Sequence, residues 1–188
     1  AAHRPDIVIV ECSTPTIDID LWFAEQVSEF AEAALAGPHL TDETVENLRA
    51  DHPKITYFLK GDYINSALEM VRARRPGIYE SDVVTDLDAI PFPDRDYPGA
   101  QNVDDPWIPN LEPPQLQIWG GKGCPFACKF CLWPQTMYKG QVTLRDPKRI
   151  AREIIQATAR HGYKQFLFVY TLLHLSPTRH PLLSYYMQ

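Results

Sequence analysis

Seven prolines, Pro91, Pro93, Pro98, Pro106, Pro109, Pro113 and Pro114, crowd into the stretch from residue 78 to 115. Proline lacks a backbone donor and fixes φ, so neither a helix nor a central strand runs through such a stretch. The 188-residue chain is thereby divided into a part over residues 1–77, an extended connector over 78–115, and a part over 116–188. With 45% hydrophobic residues, the chain has enough apolar material for one sizeable core or two small ones.

Both flanking parts read as α/β. Ile7-Val8-Ile9-Val10 is a β-branched run of the kind buried in parallel sheets, and Ser13-Thr14-Pro15-Thr16 follows it as a polar loop. Leu21, Ala24, Val27, Phe30 and Ala31 then recur at helical spacing from Asp20 onward. Ala31 to Leu35 reads equally as the last turns of that helix or as a short strand leading into Gly37-Pro38. Thr41 can N-cap a helix to about Ala50, and Pro53 prevents its continuation. Ile55 to Leu59 reads as a strand, Gly61-Asp62-Tyr63 as a turn, and Ile64 to Arg74 as an amphipathic helix stopped by Pro76-Gly77. Strand–helix–strand–helix order predicts a doubly wound sheet, which binds ligands outside the carboxyl ends of its strands.

After the connector, Leu116 to Trp119 is a candidate strand, followed by Gly120-Gly121-Lys122-Gly123. Asp146 is an N-cap with Pro147 at the first helical position. Ile150, Ile154 and Ala157 mark the apolar face, widened by Ile155, and Gly162 marks the stop. Phe166 to Tyr170 is the next strand.

The net charge of −6 gives no footprint for nucleic acid or an anionic membrane surface. No apolar run approaches the ~20 residues that span a bilayer, and no signal peptide is visible. The expectation is a cytoplasmic chain in a reducing compartment, where clustered cysteines ligate metal and do not form disulfides. The start without Met and the abrupt Tyr185-Tyr186-Met187-Gln188 end suggest a piece of a longer protein.

Three of the four cysteines, Cys124, Cys128 and Cys131, lie within eight residues in the spacing C-x3-C-x2-C. Thiolates are soft anionic ligands suited to iron–sulfur clusters. Electron-carrier clusters take four cysteines; three leave one iron open to a substrate. Two other readings compete. The triplet plus His161 or Cys12 would make a structural zinc site, although such sites usually build from two separated ligand pairs. A disulfide within the loop conflicts with a reducing compartment. Cys12, just after a buried run, reads as a small inert hydrophobe.

Cys124-Pro-Phe-Ala-Cys128-Lys-Phe130-Cys131 resembles the signature of radical S-adenosylmethionine (radical SAM) proteins, with Phe130 as the aromatic before the last cysteine. The resemblance implies a partial or complete βα barrel with a 4Fe–4S cluster at the edge of its first strand. It further implies reductive cleavage of S-adenosylmethionine to a 5′-deoxyadenosyl radical. By the same resemblance Phe130 would pack near the adenine, and Gly120 and Gly121 would let the backbone approach the ligand closely. The electron would come from a reductant such as flavodoxin or ferredoxin.

The first part resembles the C-terminal portion of a cobalamin-binding Rossmann-like domain. The matching pieces are Asp6 to Val10 with Ser13-Thr14-Pro15, Ala36-Gly37-Pro38-His39, and Gly61-Asp62-Tyr63; Leu87-Asp-Ala-Ile-Pro-Phe-Pro93 matches the connector of the cobalamin-dependent subgroup. Ser13, Thr14, Gly37 and Pro38 would line the cobalamin crevice, against the plainer reading that they only make turns. The D-x-H-x-x-G motif that supplies an axial histidine in some relatives is missing, and His39 does not match it. Cys131-Leu-Trp-Pro-Gln135 with Arg145-Asp146-Pro147 looks like the group associated with hopanoid biosynthesis, related to an anaerobic protoporphyrin-ester cyclase and several radical methylases. A small-molecule or lipid-like substrate is implied but not named. Trp133 reads equally as a packing residue near the cysteines.

The pattern breaks after the second candidate barrel strand. The family usually carries an acidic run there, whereas residues 164–188 contain no Asp or Glu. The tail from His174 to His180 does not resemble the family and reads as the product of a truncated or frame-shifted gene. A complete barrel takes ~200 residues, so the expectation is an enzyme fragment that is weak or inactive alone. The alternative is a non-catalytic metal-binding module holding a structural cluster or zinc.

Overall fold

The structure, a computed structural model, describes residues 4–96 and 115–169. The prolines from Pro98 to Pro114 and the tail from Tyr170 lie outside the described residues. The chain forms two compact units, one made of Ala1–Val84 with Gly123–Gln141 and the other of Thr85–Lys122 with Val142–Gln188.

The first unit is α/β with a four-stranded parallel sheet, an arrangement consistent with a Rossmann-like domain. Strands β1 (Ile7–Glu11), β2 (Glu32–Ala36), β3 (Tyr57–Gly61) and β4 (Gly77–Ser81) lie side by side in chain order. Pairing is parallel throughout, with Val10 opposite Leu35, Leu35 opposite Phe58, and Phe58 opposite Ile78. The ambiguous Ala31–Leu35 stretch is settled as β2. Its alanines have little intrinsic strand preference, but residues 33–36 are completely buried between β1 and β3, and position in the sheet overrides propensity.

The connecting helices are α1 (Ile17–Val27), α2 (Val45–Asp51) and α3 (Tyr63–Ala73). Alternation along the strands assigns each face its own core. Val10, Cys12, Ala33, Leu35 and Phe58 pack with Leu21, Ala24 and Val27 of α1 and Val45 of α2. Ala34, Ala36, Tyr57 and Leu59 pack with Met70 and Ala67 of α3. The strands advance in one direction while α3 covers the face opposite α1 and α2. The last crossover therefore has the opposite hand to the first two, a departure from the usual uniform right-handedness of parallel connections.

The second unit contains a βαβ element. Strands β5 (Gln115–Trp119) and β8 (Gln165–Val169) pair in parallel on either side, in sequence, of helix α4 (Pro147–His161). Asp146 accepts a hydrogen bond from the Lys148 amide at 2.9 Å, Pro147 opens the helix, and Gly162 closes it at φ 72°. These are the predicted start and stop, for the predicted reasons. Ile118, Ile150 and Ile154 form the core with Leu116, Phe166 and Phe168. Two short strands, β6 (Gly121–Gly123) and β7 (Val142–Leu144), pair with each other.

The expected extended connector is partly structured. Residues 77–81 are strand β4, and residues 85–96 are held on α4. Asp88 accepts from the Asp146 amide at 2.8 Å, and Arg149 donates to the Ile90 carbonyl at 2.8 Å. The Phe92 ring lies 4.7 Å from the Arg149 guanidinium. Glu153, 3% exposed at its side chain, is clasped by Arg95 at 2.6 Å and Arg145 at 2.7 Å.

Candidate functional site

The cysteine loop leaves β6 through Gly123, whose φ of 91° is a conformation that side chains disfavour. From Cys124 to Phe130 the backbone is irregular, with a turn in which the Cys131 amide donates to the Cys128 carbonyl at 3.0 Å. Cys124 and Cys131 are half-buried, Cys128 is exposed, and all three are free thiols. Phe130 is 92% exposed. The loop thus presents three soft donors and an uncovered aromatic ring on one short, lightly bonded segment.

Among the described residues, no three His, Cys, Asp or Glu side chains are gathered closely enough to hold a metal ion. Cys12 does not complete a metal-holding group with the loop's thiols among the described residues. Cys12 is fully buried, and its thiol is pushed up to about 12, chiefly by that burial and further by Asp20 and Glu11. His161 sits on α4 beside Asp96 and the Tyr163 ring. The donor chemistry of the triplet fits a thiophilic centre, and metal sites are commonly completed by binding itself.

Gly120 and Gly121 have packing duties. Gly120 donates to the Val169 carbonyl at 3.2 Å and accepts from the Arg145 amide at 3.1 Å. A Cβ on Gly121 would lie 2.6 Å from Leu144 Cδ2 and 2.8 Å from the Thr143 carbonyl, so close strand packing demands glycine there.

At the other candidate position, Ser13, Thr14, Gly37 and Pro38 do come together, at the carboxyl ends of β1 and β2. Thr14 Oγ1 lies 3.0 Å from His39 Nδ1, joining the two loops. Ser13 is engaged at the start of α1: its amide donates to Asp20 at 3.1 Å and its hydroxyl lies 2.8 Å from Thr16 Oγ1. Gly37 has φ 133°, and a Cβ there would stand 2.3 Å from the Cys12 carbonyl oxygen. Pro38 is buried. These residues fasten the loops to each other and to the strand ends.

The carboxyl ends of β3 and β4 are approached by a segment whose place the sequence does not reveal. A π-helical turn, Trp133–Met137, follows the last cysteine. Its Thr136 carbonyl comes within 3.9 Å of where a Cβ on Gly61 would stand, at the end of β3. Pro134, Met137 and Tyr138 are buried, and Trp133 stacks on Tyr138 at 6.0 Å. The Tyr138 phenol is pushed well up, first by burial and then by the charges of Asp62, Tyr63 and Glu11. Lys139 lies 3.8 Å from Glu80 and 3.7 Å from Asp82, at the end of β4. The signal was present as an apolar Trp133-Pro134 and Met137-Tyr138 pair before a Lys139-Gly140 turn, but nothing local to it names the sheet it covers.

Comparison with protein-family models, with curated proteins and with solved structures finds no match for this chain. Among the described residues, no helix is long and apolar enough to cross a membrane.

Proposed function

We propose that this chain is the cysteine-loop portion of a radical SAM enzyme, with Cys124, Cys128 and Cys131 as the protein ligands of a 4Fe–4S cluster. One observation carries the reading: three free, accessible thiols stand on a single loop next to an α/β element. When bound, such a cluster supplies one-electron cleavage of the sulfonium of S-adenosylmethionine. The chain's own part is to deliver three thiolates, to turn out of β6 at Gly123, and to offer the exposed Phe130 face for stacking on a flat base. The electron donor is a flavodoxin- or ferredoxin-like reductant, and the substrate is unassigned. Cobalamin belongs to this reading at the carboxyl edge of the β1–β4 sheet, bordered by Ser13, Thr14, Gly37 and Pro38, provided that edge is uncovered. The other reading is a non-catalytic module holding zinc or a structural cluster, favoured by the same thiols.

Anaerobic reconstitution with iron and sulfide decides between them. The expected product carries about four irons and four acid-labile sulfides per chain and has an electron paramagnetic resonance signal that changes on adding S-adenosylmethionine. Cys128→Ala abolishes both. Zinc without inorganic sulfide, held by the same three cysteines, rejects the radical SAM reading. Formation of 5′-deoxyadenosine by the reconstituted chain is expected to be weak.

A further inference from the structure

The segment from Trp133 to Gln141 lies where open parallel α/β sheets receive their ligands, outside the carboxyl ends of the strands. It lies against the ends of two strands. Thr136 approaches Gly61 of β3, and Lys139 faces Glu80 and Asp82 at the end of β4. It buries Met137 and Tyr138 but contributes no strand to the sheet. The segment is a single π turn followed by Lys139 and Gly140, both at positive φ (49° and 71°). Its internal bonds are short-range, such as Tyr138 amide to Trp133 carbonyl at 3.2 Å and Gly140 amide to Pro134 carbonyl at 2.9 Å. It can therefore leave as a unit without breaking the β-ladder. It is also tied to the cysteine loop, since Gln135 Nε2 donates to the Cys131 carbonyl at 3.0 Å and toward that of Cys128 at 3.4 Å.

We infer that Trp133–Gln141 is a lid on the ligand edge of the β1–β4 sheet, and that its closure excludes a flat ligand from that edge. Tyr138 is the anchor, because it is the buried aromatic of the lid and stacks on Trp133. Lys139 is a latch against two carboxylates. The choice of a corrinoid as the flat ligand rests on the proposed function; the lid does not.

Hydrogen–deuterium exchange on the full chain tests the lid, and hydroxocobalamin retention on equilibrium dialysis tests the exclusion. In the unaltered chain the amides of 135–141 should exchange together and faster than those of β2 and β3. Tyr138→Ala should speed the lid by about a hundredfold and leave β1–β3 unchanged, and should bind hydroxocobalamin more tightly than the unaltered chain. Lys139→Glu, at a half-exposed position, should do the same to a smaller degree, about threefold, and serves if Tyr138→Ala does not fold. Lid amides that exchange no faster than β2 and β3 overturn the lid. Equal, measurable hydroxocobalamin binding by the unaltered chain and an opened variant overturns the exclusion. A lid that opens while no variant binds hydroxocobalamin upholds the lid and rejects cobalamin in the proposed function.

Discussion

At the scale of single residues, two positions separate structure from chemistry. Gly37 reads in the sequence as a small residue that opens a crevice, but its backbone carries a second constraint. At φ 133° with the Cys12 carbonyl 2.3 Å from any added Cβ, no side chain fits without moving β1 from β2. Gly37→Ala is expected to cost about 2–4 kcal/mol, measured by urea unfolding; a loss under about 0.5 kcal/mol would show that the loop relaxes freely. The four cysteines divide in the same way. Cys12 is fully buried, with its thiol held protonated, whereas Cys124, Cys128 and Cys131 are at least partly open. A disulfide-exchange reagent at pH 8 should titrate three thiols promptly and the fourth only on unfolding. Four fast thiols would mean that the β1 edge opens in the native state.

At the scale of elements, helix α4 shows how a local rule and a buried charge cooperate. Its apolar face was readable as Ile150, Ile154 and Ala157, and its ends as Asp146-Pro147 and Gly162. Glu153 was not readable, because a carboxylate next to Arg152 in sequence looks like an exposed position. It is instead the centre of a buried cluster with Arg95 and Arg145, and Arg145 also donates to the Trp119 carbonyl at 2.8 Å. Removing the anion leaves two largely buried guanidinium groups without their shared carboxylate, so Glu153→Ala should cost about 3 kcal/mol or more in thermal or urea unfolding. Glu153→Met, which removes the same carboxylate, should be nearly as damaging; a neutral result for both would show that the cluster does not stabilise the fold. The same contrast runs through the chain. Strands β1, β3, β5 and β8 were legible because their β-branched and aromatic runs are intrinsic signals. Strand β2 was ambiguous because alanine is decided by its neighbours. The three cysteines were legible as a motif, but the sequence could not say that their sulfurs stand ungathered, nor that the segment after them covers another element.

At the scale of the whole molecule, the two compact units are interleaved in the chain. The prolines suggested a division by sequence, residues 1–77 against 116–188, yet Gly123–Gln141 belongs with Ala1–Val84. A fragment ending before the connector therefore lacks the segment that buries Pro134, Met137 and Tyr138, and leaves the sheet's carboxyl edge bare. The same logic predicts that the connector need not be intact for the first unit to form. Residues 1–96 and 115–188, co-expressed as separate chains with an affinity tag on one of them, should co-purify, because the lid supplied by the second chain docks on the sheet supplied by the first and residues 85–96 of the first dock on α4 of the second. Tyr138→Ala in the second chain should reduce the recovered partner several-fold, since a buried aromatic anchor is worth about 3 kcal/mol. Co-purification unaffected by Tyr138→Ala would locate the association elsewhere, and separate elution of two folded chains would show that the lid's hold on the sheet depends on the covalent link through residues 97–114.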